Sequence, residues 1–353
     1  MPISAADSIT LAVEHTKQQL FRPFRIGQWT KLAFVGLLAG ELGLNGFNGS
    51  NFSPPHRGAG PHARFPGTLG IDHALLFAFI AAAVVAAIAI ALILHYIGSV
   101  MRFVLFDSIL ARECHIRQSW SRRMTPGWRY FVWKLAYGVL SLLGIAVVVG
   151  IPAALAYNAG WFHDPKAHVS VLVPVGMVLF LLLFAFGITT AVIFVLTKDF
   201  VVPQMALEDI DTMEGWRRLW PMIKAETGAY AGYIGMKIVL AIIASIIIGI
   251  GTLLIGLFFV VPTVGLSLLA IITGKSAGMT WNPHTIALAA VIGCILLGAF
   301  LYLVALVSVP ALVFFPAYAL YFFAGRYPRL VVPLYPASSL AHVPAGAVPR
   351  VSG

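Results

Sequence analysis

The sequence predicts an all-α integral membrane protein with six transmembrane helices, and three observations predict it. Sixty per cent of the 353 residues are hydrophobic and ten per cent are charged, whereas soluble domains carry about 45–50% and about 25%. The apolar residues fall in blocks, several of them longer than the ~18–20 residues that cross a hydrocarbon layer about 30 Å thick. The basic residues stand beside those blocks, where they act as topology signals. These features exclude a water-soluble fold. The formal charge of +10 does not point to nucleic acid as a partner, because Lys and Arg form no separate soluble patch.

Taken in chain order, residues 5–22 put Ile9, Val13, Thr16 and Leu20 at helical spacing, opposite Asp7, Glu14, Lys17 and Gln18. This predicts an amphipathic helix on the membrane surface, ended by Pro23. A short first span is expected over about 32–47, carrying Glu41. An irregular loop with Pro54, Pro55, Pro61 and Pro66 then runs to residue 73. Long blocks predict spans at about 74–101, 135–159, 169–197 and 238–261, and Pro262 ends or bends the last of these. The block at 285–323 is long enough that Pro310 and Pro316 kink it or turn its end into the interface. Residues 1–332 therefore read as one transmembrane domain, and 333–353, rich in Pro, Ala and Val, as a loose tail. The first 30 residues lack the basic start, apolar run and cleavage site of a signal peptide. Cys114 and Cys294 are not expected to form a disulfide.

With the N-terminus inside, 19 of the 23 Lys and Arg residues fall on the cytoplasmic side. Arg57, Arg64, Lys166 and Lys275 fall outside. An odd number of spans would put Arg326, Arg329 and Arg350 on the wrong face. The expected location is thus a bacterial inner membrane, multi-pass, with both termini cytoplasmic.

The chain also resembles itself. At an offset of 100, Asp7, Ser8, Ile9, His15, Gln18, Arg22 and Gly27 match Asp107, Ser108, Ile109, His115, Gln118, Arg122 and Gly127. Lys31, Lys134 and Lys237 are equally spaced, and Trp216-Arg217-Arg218 echoes Trp120-Ser121-Arg122-Arg123. The reading is three parallel two-helix repeats, about 5–100, 101–198 and 199–325, each introduced by an amphipathic cytoplasmic interfacial helix. Chance likeness between amphipathic segments is the alternative.

Lys31, Lys134 and Lys237 are candidates for binding an anionic lipid headgroup, and snorkelling anchors are the simpler account of them. Glu41 and His95 are candidates for a polar cavity, because ionisable residues within apolar spans usually pair or line water; an interfacial carboxylate and a packing histidine are the structural readings. Gly36 and Gly40 have the spacing of a close helix contact. His56, His62, His73 and Asp72 share a loop but match no standard ligand set, so no metal and no cofactor is expected. The run Glu208, Asp209, Asp211, Glu214, Arg217 and Arg218 reads as a solvated helix face, with Met205, Ile210, Met213 and Trp220 as its apolar side. No catalytic motif is present, so the expectation is not an enzyme.

The segment Asp199-Phe200-Val201-Val202-Pro203-Gln204-Met205-Ala206-Leu207-Glu208, leading to Gly215-Trp216-Arg217-Arg218-Leu219-Trp220-Pro221, resembles an element of bacterial membrane proteins of the YciC type. It is similar too to the membrane domain attached to some glycerophosphoryl diester phosphodiesterases. The resemblance implies a polytopic membrane domain and carries over no catalytic residue. The phosphodiesterase reaction belongs to a separate soluble domain that this chain has no stretch to hold. The functional expectation is a non-enzymatic protein whose partners are membrane phospholipids, interacting with lipid or supporting the envelope. The rival class is a small-solute transporter or channel.

Overall fold

The computed structural model describes residues 3–41, 73–161, 168–276 and 283–334, the side chains of 73–75, 266–276 and 283–285 excepted. Among these residues the regular structure is helical, with one isolated bridge between Phe21 and Phe24. The elements are α1 (Asp7–Phe21), α2 (Ile26–Leu38), α3 (His73–Ala111), α4 (Ile116–Asn158), α5 (Val169–Leu196), a π-turn (Thr197–Val201), α6 (Val202–Glu208) and α7 (Thr212–Ala225). Then follow α8 (Thr227–Ser276), α9 (Pro283–Ala324), a 3₁₀ turn (Pro328–Leu330) and α10 (Val331–Leu334). Among the described residues, five stretches are long and apolar enough to cross a membrane: Leu76–Ala111, Ile116–Asn158, Val169–Glu208, Thr227–Gly265 and Ile286–Ala324.

The expected first span, about 32–47, is not a helix of that length. Helix α2 has 13 residues, about 20 Å at 1.5 Å per residue, too short for a hydrocarbon layer of about 30 Å. It stops because Gly40 takes φ +72°. Glu41 N–H then donates to Gly36 C=O at 2.9 Å and Gly40 N–H to Leu37 C=O at 3.2 Å. That reciprocal pattern is the glycine stop of a helix. Gly40 therefore terminates α2 rather than packing it against a neighbour. Gly36 does pack, since a Cβ there would lie 2.4 Å from Leu312 Cδ2. The α2–α3 approach is just as tight at Gly98, where a Cβ would meet Leu38 C=O at 2.7 Å.

Each long helix has two parts. Residues 76–94 of α3 are exposed and apolar, about 28 Å of helix, whereas Val100, Met101, Phe103, Val104, Leu105, Phe106 and Ile109 are buried. Helix α4 buries Tyr130 and Phe131 and then exposes Val139, Leu140, Leu142 and Leu143. Helix α5 buries nothing before Leu196; α8 buries Tyr230 and Tyr233 and nothing described between 238 and 265; α9 is unburied until Val304. Bare Leu, Ile, Val and Phe over hydrocarbon length is the surface that lipid tails solvate as well as protein would. The protein's own core forms where polar residues enter each helix.

The chain divides into two compact units, Met1–Leu11 with Trp120–Met236 and Tyr318–Gly353, and Ala12–Ser119 with Lys237–Ala317. In the first, Phe200 centres an aromatic cluster, its ring 5.0–5.9 Å from those of Tyr230, Tyr233, Phe322 and Phe323. In the second, α1 and α2 are tied to the buried end of α3: Gln19 Nε2 donates to Ser108 C=O at 2.9 Å and Gln28 Nε2 to Arg112 C=O at 2.8 Å.

Helix α1 starts where predicted, with Ser4 Oγ accepting Asp7 N–H at 3.1 Å, as an N-cap does. Its buried stripe is Ser8, Ala12, His15, Thr16, Gln19 and Leu20, so that of the expected Ile9, Val13, Thr16 and Leu20 only the last two are buried. Small and hydrogen-bonding residues win that face because Gln19 spends its amide on the α3 backbone.

Element ends do not recur at the offset of 100. Residues 107–111 close α3 and 112–115 break the chain, while their counterparts 7–15 lie within one helix. What recurs is local: α3 and α6 each end on a left-handed non-glycine residue, Arg112 (φ 56°) and Asp209 (φ 52°). Trp120 and Trp216 follow in the next helix in each case.

Candidate functional site

On α3, α4, α5 and α8 an ionisable residue stands at the point where the helix changes from exposed to buried. On α3 it is His95, half-buried three residues before Gly98; its C=O accepts from Ser99 Oγ at 2.9 Å. On α4 it is Lys134, half-buried, with its Nζ 5.9 Å from the Tyr130 ring centre. The π-turn supplies Lys198 and α8 supplies Lys237, immediately before exposed Ile238. A lysine at the edge of a membrane span generally keeps its ammonium in the headgroup layer while its stem lies along apolar surface. Lys134 and Lys237 thus occupy matching places on their helices. Lys31 is exposed on α2, beside buried Leu32 and Ala33.

Glu41 forms an ion pair with Arg102 at 2.5 Å, the two side chains 12% and 7% exposed. Helix α2 delivers it there as the residue just past the Gly40 stop, and α3 delivers Arg102 two turns beyond His95, about 10 Å along the helix. Between the polar boundaries, the described stretches 76–94, 138–157, 169–197, 238–265 and 286–317 contain no Asp, Glu, Lys, Arg or His. The clefts that open on these stretches are apolar as well: one is lined by Phe259, Val260, Val264, Leu297 and Phe300, another by Pro152, Pro174, Val178 and Leu182.

The first unit holds an acid–base network that the sequence did not reveal. Glu208 accepts from Arg218 at 2.6 Å and pairs with Arg329 at 2.7 Å, and the Tyr327 hydroxyl donates to it. Arg218 also reaches Glu214 at 2.9 Å, and this hydrogen bond holds the Glu214 carboxyl below the usual carboxylate range. Burial, then the Glu208 carboxylate, pushes the Tyr327 phenol upward. Arg129 clasps Asp209 and Asp211 across the break before α7. The acidic–basic run is therefore not a simple solvated face: Glu208 is anchored by Tyr327 and Arg329, more than 100 positions downstream, and holds Arg218 in turn. Met205 is buried as well, while Met213 and Trp220 are exposed. Deeper, Asp199 is buried in the π-turn and accepts from Tyr233 hydroxyl at 2.9 Å, and Tyr233 stacks on Tyr318 at 5.1 Å. A carboxylate directly after a long apolar block was the available sign of Asp199. Nothing in the sequence pointed at Tyr327 or Arg329.

His15 is buried in α1. Burial first, and then the positive Arg112, lower its pKa from 6.5 to about 4. The folded state thus refuses a proton that the unfolded chain accepts. The stability this gives is complete above pH 6.5 and is lost as pH falls toward 4, on the order of 3 kcal/mol. Thermal unfolding at pH 7.5 and 4.5 checks it: the wild type is expected to lose more stability than His15→Gln, and equal losses would contradict the assignment.

His56, His62 and Asp72 lie outside the described residues, as does the side chain of His73. The profile of a family of unknown function, DUF7544, matches residues 3–333. No curated protein and no solved structure matches the chain.

Proposed function

The chain therefore belongs to the DUF7544 family, to which no activity is attached, and from its own geometry we propose a non-enzymatic, multi-pass inner-membrane protein that binds anionic phospholipid headgroups. The observation that carries this reading is the placement of cations at the boundary between lipid-length apolar helix and buried core, Lys134, Lys198 and Lys237 on their helices, with Lys31 exposed on α2. The uncharged character of everything between those boundaries argues against the transporter or channel reading. Proton- and ion-coupled pathways place ionisable groups at membrane depth, whereas Glu41 is neutralised by Arg102 at the buried end of α3. In this proposal the topology is six crossings with both ends cytoplasmic. The recurring left-handed breaks at Arg112 and Asp209 support parallel repeats at an offset nearer 97 than 100.

Native mass spectrometry tests the lipid reading. Anionic phospholipid is expected to be retained on the purified protein, and replacing Lys31, Lys134 and Lys237 by Gln is expected to reduce retention severalfold. No preference for anionic over zwitterionic lipid, in the wild type or the triple variant, would sink it.

A further inference from the structure

A cleft of about 400 Å³ lies at the end of α1, lined by Gln19, Arg22, Arg25, Gln28, Arg112 and Glu113 among others, within the size range of small-molecule sites. It is the most polar of the clefts described, and its charges do not balance: three guanidiniums stand with one carboxylate. Arg25 and Glu113 are 3.8 Å apart with both side chains more than half exposed, a pairing that water and salt weaken. Arg112 donates from Nη1 to Gln18 Oε1 at 2.9 Å, a neutral acceptor that leaves its charge in place. Gln19 is 4% exposed. Its Nε2 is spent on Ser108 C=O, and its buried Oε1, turned toward His15, meets no donor at full hydrogen-bond geometry. A buried amide oxygen left in that state is costly, and native proteins seldom keep one without water or a ligand to satisfy it.

Guanidiniums recognise phosphate oxygens through paired N–H donors, and an amide oxygen asks for a hydroxyl or N–H. We infer that this cleft binds a phosphate group carrying a neighbouring hydroxyl, either as a phospholipid headgroup or as a soluble phosphorylated polyol. The lipid source rests on the reading proposed above; the soluble source does not.

The test uses the full chain in phosphatidylcholine nanodiscs. Isothermal titration with glycerol 3-phosphate and with inorganic phosphate probes the soluble source. Native mass spectrometry with added phosphatidylglycerol probes the lipid source. Binding by either route is expected to weaken at least tenfold in Arg22→Gln/Arg25→Gln, whose exposed side chains leave the core intact. Gln19→Leu is expected to weaken the hydroxyl-bearing probe severalfold and to leave inorganic phosphate unchanged. Replacing Lys31, Lys134 and Lys237 by Gln is expected to leave cleft binding unaltered, so this inference and the lysine reading fail separately. No binding of any probe, or equal binding by wild type and the arginine variant, would overturn the assignment.

Discussion

Arg102→Met is expected to lower unfolding stability by about 3–5 kcal/mol, because it strands the Glu41 carboxylate where water barely reaches it. Arg102 and Glu41 sit 2.5 Å apart and both are nearly excluded from solvent. The pair itself is not the source of that number. Removing both charges together, as in Glu41→Leu/Arg102→Met, is expected to return stability to within about 1 kcal/mol of the wild type, since a well-packed apolar pair often matches a buried ion pair. A double-mutant cycle by chemical denaturation in detergent reads this directly. Additive losses from the two single changes would show that the charges act independently.

Arg326→Ala is expected to cost about 2–4 kcal/mol, because one side chain holds four groups. Its Nε donates to Glu226 at 2.8 Å, and its Nη1 donates to Ile3 C=O at 3.2 Å and Phe322 C=O at 3.0 Å. Its guanidinium lies 4.0 Å from the Phe322 ring centre. The residues before α1, the junction of α7 and α8 and the last turn of α9 are thereby tied within one unit. Arg326→Lys is expected to recover less than half of the loss, because an ammonium cannot serve a carboxylate and two carbonyls from a flat fork. Glu226→Gln is expected to stay within about 1 kcal/mol, since Glu226 is the more exposed partner. Melting of the full chain in detergent compares the three, and a lysine variant as stable as the wild type would contradict the clamp.

The sequence made the membrane class and five of the spans legible because hydrocarbon-length apolar blocks have no other stable use. The end of α2 was not legible. Helix α2 and the residues after it are apolar enough to extend a span, and only the backbone shows that Gly40 turns left-handed and stops the helix. The apolar face of α1 misled for a related reason: hydropathy ranks Ile9 and Val13 above Gln19, yet a glutamine that reaches a carbonyl on α3 is buried ahead of them. The lysine positions at the helix boundaries were visible, because snorkelling depends on local sequence alone. The Glu208 network was not, since Tyr327 and Arg329 join it through packing between segments far apart in the chain. Asp199 lies between these cases, flagged by its place after an apolar block but given its role by Tyr233.

Each long helix is part lipid-facing span and part protein core, and on α3, α4, α5 and α8 the change comes at an ionisable residue. Site-directed spin labels placed singly along residues 229–265 of α8, in a background lacking Cys114 and Cys294, measure it. Oxygen collision is expected to be high from 238 onward, with aqueous nickel reagent excluded, and to fall at Tyr233 and Tyr230, the switch coming at Lys237. Labels between 242 and 258 that contact the aqueous reagent, or that are as shielded from oxygen as Tyr233, would contradict it.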